Sequence, residues 1–332
     1  MDIVNTSSFH PDYFILKGIA SLENSHFLLS IPFCIMYILA LIGNSTLVLL
    51  ITFSESLHQP MYIFLVMLAT TDVFLCSTTV PKALSIFWFG SHEIPFNGCL
   101  IQVFFIHFLF GMESAILLLM AYDRYIAICY PLNYAMSMTN TFIKRSAVLA
   151  VIRGLCLVTP MVFLLIRLPY GQSNVIEHTY CEHMAVARLA TADILVNIVY
   201  GLTIAFLASF MDMFLIGISY CVIIRAVLRL PSTEARSKAF NTCVSHICVI
   251  VMFYVPAFFS FIAHRVGHKL IPLQVHIMLA NLYVLVPPMM NPIIYGVKTK
   301  EIRHIVFQVL QHFGKTAICQ TAFWVLTVHT PD

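Results

Sequence analysis

The sequence predicts an all-α membrane protein, a seven-transmembrane helix bundle followed by a short amphipathic surface helix. Three observations predict this fold class. The chain of 332 residues is 60% hydrophobic and only 10% charged, whereas soluble proteins carry about 25% charged residues. Its mean hydropathy is +0.90. Apolar stretches also recur at the length of about 20 residues that a helix needs to cross a bilayer, without the alternation typical of a membrane β-barrel.

The membrane-spanning part is expected to cover residues 27–296, between an extracellular N-terminal segment at 1–26 and a cytoplasmic end at 297–332. The predicted spans cover residues 27–53, 60–88, 97–129, 143–166, 194–228, 237–264 and 271–296. Pro60 suits the first position of the second helix. Pro160 and Pro256 lie inside spans 4 and 6, where a proline kinks the helix and leaves a carbonyl for neighbouring helices to satisfy.

The two ends of the chain carry different signals. The N-terminal segment lacks a basic region followed by a short apolar core, so no cleavable signal peptide is predicted. Asn5 begins an Asn-Thr-Ser sequon, whose glycosylation would place this end outside the cell. Beyond span 7, one helical face is apolar and predicts an amphipathic helix on the membrane surface. The residues of this face are Ile302, Ile305, Val306, Val309 and Leu310.

Lysine and arginine are unevenly divided between the two sides of the predicted bundle. With the N-terminus outside, six lie in the outer segments and eleven in the inner ones. The outer residues are Lys17, Lys82, Arg167, Arg188, Arg265 and Lys269. Because cytoplasmic segments carry the excess of positive charge, we expect a multi-pass plasma-membrane protein with its N-terminus outside and its C-terminus inside.

Span 3 contains the polar residues that point most directly to function. The apolar run from Ile101 to Tyr122 would be about 33 Å long as a helix, enough to cross a bilayer core. It ends in Asp123 and Arg124, where the helix meets water. Glu113 lies about three turns deeper, where a charge is costly and usually functional.

Several functional classes are disfavoured by what the sequence lacks. It contains no glycine-rich nucleotide loop, no Cys and His cluster with metal-ligand spacing, and no nucleophile elbow. An enzyme is therefore not expected, nor is a nucleic-acid partner. A transporter would be expected to show inverted repeats or paired broken helices, and the sequence shows no such repeat.

Four sequence motifs carry a family resemblance. They are PMYIFLVMLATTD (60–72), MAYDRYIAIC (120–129), SKAFNTCVSH (237–246) and PPMMNPIIYG (287–296). Together with the predicted spans they resemble the rhodopsin-like G-protein-coupled receptors, and SKAFNTCVSH is similar to the form found in odorant receptors. The loop sequence YCEHMAVARLA (180–190) and His264-Arg265 resemble the fish-like, class I branch. The resemblance extends from about residue 20 to residue 312.

The resemblance implies one disulfide bond and the loss of another. Cys99, at the outer start of span 3, would pair with Cys181 in the loop after span 4. The family usually has a second cysteine pair in this loop. Here Gly171 and Thr191 stand at the positions where those cysteines are expected. No cofactor is implied apart from a structural sodium ion, which the resemblance places between Asp72 and Glu113 near Asn291. The alternative is that one acid is protonated and hydrogen-bonded. Asp212 in span 5 receives no role.

The resemblance also assigns a G-protein coupling switch to the inner ends of the helices. Its residues would be Asp123, Arg124, Tyr125, Tyr220, Lys238, His246 and Tyr295. In the family, the arginine is held by the neighbouring acid at rest and then swings to meet the G protein. The alternative is that Asp123 and Arg124 only mark a helix end at the membrane interface.

The ligand site is expected between spans 3, 5 and 6, beneath the second outer loop. The resemblance to the class I branch implies that Arg265 meets the ligand carboxylate, which the planar fork of arginine can bind bidentately. The remaining candidates are His107, Phe261, His183, Met184, Phe104, Phe108 and Phe258. The alternatives are that Arg265 instead pairs with Glu177 or Glu182, that His107 is a satisfied bundle histidine, and that the phenylalanines only pack.

These features predict an odorant receptor for a small volatile, a carboxylic acid or similar polar-headed aliphatic. It would activate a stimulatory, olfactory-type heterotrimeric G protein. The alternative is a non-olfactory rhodopsin-like receptor for another small ligand. An amine receptor would have an acid in the outer half of span 3, where this chain has His107.

Overall fold

The structure, a computed structural model, describes residues 10–19, 22–171, 173–266 and 272–308. For Asn24, Lys238, Asn241, Thr242 and residues 260–266 it describes the backbone alone. Seven long helices dominate this part of the chain, and we number them as spans 1 to 7. Their bounds are His26–Phe53, Pro60–Phe89, Phe96–Cys129, Asn140–Ile166, Leu195–Leu228, Thr233–Val266 and Leu273–Lys298. We call the end of the bundle with Cys99 the outer end, and the end with Arg124 the inner end.

Six of these described helices are long and apolar enough to cross a membrane. In span 6, the side chains described without a gap from Cys243 to Phe259 form an apolar stretch. Its first residues, from Thr233, are polar and charged. A helix of 34 residues is about 51 Å long, which exceeds a bilayer core of about 30 Å. The polar part of span 6 therefore extends beyond the inner end of the bundle.

Span 3 lies at the centre of the bundle, where it contacts spans 2, 4, 5 and 6. Span 1 packs against spans 2 and 7, and one close approach depends on glycine. A Cβ atom on Gly43 would lie 2.7 Å from a ring carbon of Pro292 in span 7. Beside it, the Asn44 side chain donates hydrogen bonds to the carbonyls of Ala40 and Pro288, at 2.9 and 2.7 Å. The Gly-Asn pair thus joins spans 1 and 7.

A small sheet covers part of the outer end, and the sequence pattern did not predict it. Strand β1 (Tyr13–Leu16) pairs antiparallel with β2 (Glu93–Pro95) and parallel with β3 (Val175–Ile176). Phe14 and Leu16 point into the outer core and are fully buried. The alternation in β1 is too short to recognise in a sequence, because it covers only four residues.

Span 5 contains a π-helical segment, Phe206–Phe210, between two α-helical parts. The wider turn lets the carbonyl of Ala208 accept a hydrogen bond from Ser114 of span 3, at 2.8 Å. Such segments frequently occur at functional sites. Asp212, the second residue after this segment, is buried.

After span 7, residues 300–308 form a further helix. Ile302 on this helix is fully buried, and Ile305 and Val306 pack against the inner core. The apolar face expected from the sequence therefore packs on the bundle. Two further residues assigned to that face, Val309 and Leu310, lie outside the described residues.

Candidate functional site

A cavity of about 220 Å³ lies between the helices near the outer end. Spans 3 to 7 and the second outer loop contribute to its lining. His107 comes from span 3, Phe258 from span 6 and Tyr283 from span 7, while His183 and Met184 come from the loop. Most of the lining is apolar or aromatic, which is typical of small-molecule sites with a few polar groups that fix orientation.

The polar groups at the loop side of the cavity belong to two histidines and one acid. The rings of His107 and His183 meet edge to face, with centroids 6.1 Å apart. The Nδ1 atom of His107 is hydrogen-bonded to the carbonyl of Val103 at 2.9 Å. Glu182 also lines the cavity, and its carboxylate caps the short helix His183–Ala187 by accepting from the amide of Ala185 at 2.7 Å.

The opposite side of the cavity is formed by an ion pair that the sequence pattern did not predict. Arg153 of span 4 donates to both carboxylate oxygens of Asp212 in span 5, at 2.7 and 2.6 Å. Ser114 of span 3 has one hydroxyl proton, which it shares between this carboxylate, at 2.7 Å, and the Ala208 carbonyl, at 2.8 Å. The Ser114 hydroxyl also lies 2.8 Å from the hydroxyl of Tyr254 in span 6. We call these four residues the floor cluster; it joins spans 3, 4, 5 and 6 beneath the cavity.

Deeper in the bundle, the structure brings together the acids that the sequence singled out. Asp72 and Glu113 are buried, with their carboxyl groups close together. Asn291 of span 7 donates to Asp72 at 2.9 Å. One oxygen each of Asp72, Glu113 and Asn291 is buried and makes no hydrogen bond with any described residue. Within the described ranges, no group of three or more His, Cys, Asp or Glu side chains suited to a metal ion occurs.

At the inner end, Asp123 and Arg124 lie close together, with 3.9 Å between the nearest charged atoms. Tyr134, in the loop after span 3, donates to Asp123 at 2.7 Å. Burial and this hydrogen bond raise the pKa of the Tyr134 hydroxyl, so it remains a donor at neutral pH. The loop therefore competes with Arg124 for the carboxylate, and the Nε of Arg124 is left without a hydrogen bond to any described residue.

The other predicted switch residues lie around Arg124. Tyr220 of span 5 is hydrogen-bonded to His246 of span 6 at 2.7 Å. Both residues, and the buried Tyr295 of span 7, are within electrostatic reach of the Arg124 guanidinium. Tyr125 packs against neighbouring tyrosine rings instead. Spans 3, 5, 6 and 7 thus meet at the arginine.

The inner end also exposes two large apolar side chains. Leu132, in the loop between spans 3 and 4, is 95% exposed, and Met136 of the same loop is 73% exposed. A large apolar side chain exposed at the end of a membrane bundle is a candidate protein contact.

The predicted disulfide between Cys99 and Cys181 is confirmed, with 5.5 Å between the Cα atoms. It attaches the second outer loop to span 3 next to the cavity. The loop is held further by Gln102, which accepts from the amide of Cys181 at 2.8 Å, and by a 2.7 Å hydrogen bond from Thr179 to Asn281 of span 7.

Not every predicted ligand residue reaches the cavity. Phe104 and Phe108 stack on each other at 5.7 Å and are absent from its lining. Phe108 instead lies against Gly154 of span 4, where an added Cβ would come within 2.8 Å of its ring. Four predicted residues fall outside the described part: Asn5 entirely, and the side chains of Phe261, Arg265 and Lys238.

Seven helices around a cavity near one end, with Asp-Arg-Tyr closing the third helix at the other, define a G-protein-coupled receptor of the rhodopsin-like fold. The structure is similar to the crystal structure of squid rhodopsin, with a TM-score of 0.66 over 93% of this chain and 89% of that chain. At 18% sequence identity, this similarity shows the fold alone.

Sequence comparisons define the family. A family model described as olfactory receptor matches residues 33–312. Human olfactory receptor 52D1 is 54% identical over 95% of this chain and 99% of its own length. Human olfactory receptor 52B2 is also 54% identical, over 91% and 94%. The chain belongs to the olfactory receptor family.

Family membership confirms the coarser functional predictions. The protein is a multi-pass membrane receptor for an odorant, it couples to a G protein, and it is not an enzyme. The alternative of a non-olfactory receptor is therefore set aside.

Proposed function

We propose that this receptor detects a small aliphatic carboxylic acid, or a similar polar-headed aliphatic, in the cavity between spans 3 to 7. The size of the cavity carries this proposal. At about 220 Å³ it is smaller than the 300–1,000 Å³ or so of drug-sized sites, and it is mostly apolar. A short alkyl chain with a single polar head suits such a volume.

The proposal of an acid depends on which cation of the receptor can pair with the carboxylate of the ligand. Arg153 lines the cavity, but Asp212 neutralises its charge through two hydrogen bonds. A ligand carboxylate therefore needs another cation. Arg265 at the outer end of span 6 supplies one. Because Nδ1–H of His107 already donates to the carbonyl of Val103, its Nε2 can donate to the same head group only when the ring is protonated.

The alkyl chain would then extend toward Phe258 and the floor cluster. Phe258 contacts Tyr254, with ring centroids 5.9 Å apart, and Tyr254 meets Ser114 of the floor cluster. A ligand that favours one packing of these residues would shift span 6 relative to spans 3 and 5. Only differential binding to the two arrangements can produce that shift.

The inner end would couple this shift to a stimulatory heterotrimeric G protein. We infer that Arg124, released from Asp123, meets the G protein between spans 3, 5 and 6, and that Leu132 contacts it from the loop. The excess of Lys and Arg in the inner segments supports an orientation with the C-terminus inside the cell.

We also propose a sodium ion between Asp72 and Glu113. Two buried carboxyl groups side by side repel unless a proton or a cation lies between them. The buried oxygens of Asp72, Glu113 and Asn291 that lack partners among the described residues fit the oxygen donors that a hard cation prefers.

The ligand proposal is tested by the cyclic-AMP response of cells expressing the receptor to straight-chain acids, alcohols and aldehydes. The acids should be the most potent. Arg265→Ala should weaken the acid response at least roughly tenfold, as expected for the loss of a charged hydrogen-bond partner. Arg265→Lys should retain part of the response, and surface expression should be unchanged in both variants. An acid response equal to wild type in Arg265→Ala would exclude the carboxylate claim.

A further inference from the structure

A second hollow lies on the membrane-facing side of spans 4 and 5, outside the bundle. It is a groove of about 770 Å³. Span 4 contributes Cys156, Thr159 and Phe163 to its walls, and span 5 contributes Tyr200. Its outer end is formed by Arg167, the residue that follows span 4. We call this hollow the lipid-side groove.

The lipid-side groove and the ligand cavity lie on opposite sides of the same two helices. In span 4, Gly154 and Leu157 line the cavity, whereas Cys156 and Thr159 line the groove. In span 5, Gly201 lines the cavity and its neighbour Tyr200 lines the groove. Only the contact between spans 4 and 5 therefore separates the groove from the cavity, and we call this contact the seam.

One hydrogen bond crosses this seam from groove to cavity. The Tyr200 hydroxyl donates to the carbonyl of Leu157 at 3.0 Å. Leu157 already lies on the cavity side, and Gly201 of span 5, which also lines the cavity, has no side chain. A rotation of the Tyr200 side chain would break this hydrogen bond and open a passage beside Leu157 and Gly201.

The positive charge of Arg167, at the outer end of the groove, is suited to bind the carboxylate of an acid. The Arg167 side chain is exposed and forms no ion pair with any acid in the described ranges. An aliphatic acid partitions into a bilayer with its chain among the lipid tails and its head at the interface. That arrangement places a carboxylate at Arg167 and the chain along Thr159 and Phe163.

The approach from water is partly covered. Residues of the second outer loop, including Tyr180, His183 and Met184, lie over the cavity. The β1–β3 sheet adds β1 to the same loop, with the amide of Lys17 bonded to the carbonyl of Ile176 at 2.9 Å. An amphiphile dissolved in the outer leaflet reaches the seam without passing this loop.

We propose that the lipid-side groove is a loading site for the odorant itself. It binds a carboxylic acid from the outer leaflet, with Arg167 on the head group, and passes it between spans 4 and 5 at Tyr200. The occupant follows from the ligand class in the proposed function, on which this inference rests.

Photolabelling tests the site directly. The purified full-length receptor, in phosphatidylcholine vesicles, would be irradiated with diazirine-bearing decanoic acid, and labelled peptides identified by mass spectrometry. Label is expected on the cavity and also on Cys156, Thr159 or Phe163. Arg167→Ala should lower groove labelling roughly fivefold or more. Arg167→Lys should restore part of it, and Arg229→Ala, at the inner end of span 5, should match wild type.

The outcomes separate this proposal from the one on which it rests. Label in the cavity but not in the groove overturns the loading site and leaves the ligand class intact. Absence of label at both sites contradicts the ligand class and the loading site together. Groove labelling that anionic phospholipid displaces and unlabelled decanoic acid does not would make the groove a phospholipid site, which also overturns the proposal.

A kinetic measurement tests the route. Thr159→Trp fills the groove from the lipid side and should slow the onset of the cyclic-AMP response to decanoic acid severalfold. Val148→Trp is the matched control, because Val148 is also exposed on span 4 but lies outside the groove. Equal onset rates in the two variants would exclude passage through the seam.

Discussion

The Arg153–Asp212 pair is held at the floor of the cavity, where either charge alone would be costly. Asp212 is 2% exposed, and its carboxylate has Arg153 and Ser114 as partners. The two residues are 59 positions apart, in different spans. In the sequence they are two isolated charges inside apolar runs. Only the packing of spans 4 and 5 shows that they neutralise each other.

Removing one member of this pair should destabilise the receptor strongly. Arg153→Met leaves a buried carboxylate uncompensated, a change that costs about 3–5 kcal/mol in proteins. The double variant Arg153→Met with Asp212→Leu should recover most of that loss, because no buried charge remains. The apparent melting temperature of purified receptor measures both effects, with Arg229→Met as a surface control. A double variant less stable than the single one would contradict this account.

The sodium proposal also belongs to single residues. Raising sodium at constant ionic strength, with choline as the replacement cation, should raise the apparent melting temperature of the wild-type receptor. Mass action requires this of any ligand that binds only the folded state. Asp72→Asn removes a charged ligand and should abolish the sodium dependence. A sodium effect that survives in Asp72→Asn would place the ion elsewhere.

At the scale of elements, the second outer loop keeps the geometry of a bond that its sequence has lost. Gly171 and Thr191 lie side by side in two segments that backbone hydrogen bonds hold together. The amide of Gly171 donates to the carbonyl of Leu189, and the amide of Thr191 donates to the carbonyl of Pro169. A Cβ built on Gly171 lies 4.0 Å from the Cβ of Thr191. Disulfides have Cβ atoms about 3.5–4.5 Å apart.

The double variant Gly171→Cys with Thr191→Cys should therefore form a disulfide without any rearrangement of the loop. Mass spectrometry of unreduced peptides would detect a bridge between positions 171 and 191, with Cys99 still joined to Cys181. Each single variant is the control and should keep a thiol that reacts with an alkylating reagent. Two alkylated thiols in the oxidised double variant would show that the loop differs from this structure.

The contact between spans 1 and 7 gives a second prediction for elements. Gly43→Ala places a methyl group against the rigid ring of Pro292 and should cost about 1–3 kcal/mol, typical of overpacking. Gly217→Ala is the matched control, because its Cβ would meet nothing within 4 Å. Comparable melting temperatures for the two variants would mean that spans 1 and 7 separate easily.

The helices could be located from the sequence because apolar runs mark membrane spans, but their exact starts could not. Apolar runs locate helices in a membrane, but they do not show polar first turns. Span 4 begins at Asn140, capped by Thr139, and span 6 begins at Thr233; the predicted starts were 143 and 237. The β1–β3 sheet and the π-helical segment depend on contacts between distant parts of the chain, so no local pattern in the sequence predicts them.

For the whole molecule, function requires the outer cavity and the inner arginine to be joined by helices that move together. Span 3 connects them: His107 lines the cavity, Ser114 belongs to the floor cluster, Glu113 lies beside Asp72, and Arg124 lies at the inner end. The family motifs predicted a switch at the inner end residue by residue, and its roles stay a prediction. The cavity was harder to predict, because its apolar lining resembles the rest of the bundle.

The central claim is that the odorant occupies the described cavity, and a cavity-filling variant tests it most directly. Gly111 lines the cavity, and a Cβ there would meet nothing within 4 Å. Gly111→Leu should therefore fill the site without disturbing the fold. Gly217→Leu is the matched control, with equal free space and no position in the cavity.

The measurement is the cyclic-AMP dose–response of the two variants to the most potent acid, at equal surface expression. Gly111→Leu should raise the half-effective concentration roughly tenfold or more, which corresponds to about 1.4 kcal/mol of lost binding. Gly217→Leu should match wild type. A dose–response in Gly111→Leu that is indistinguishable from wild type would contradict the claim that the odorant binds in this cavity.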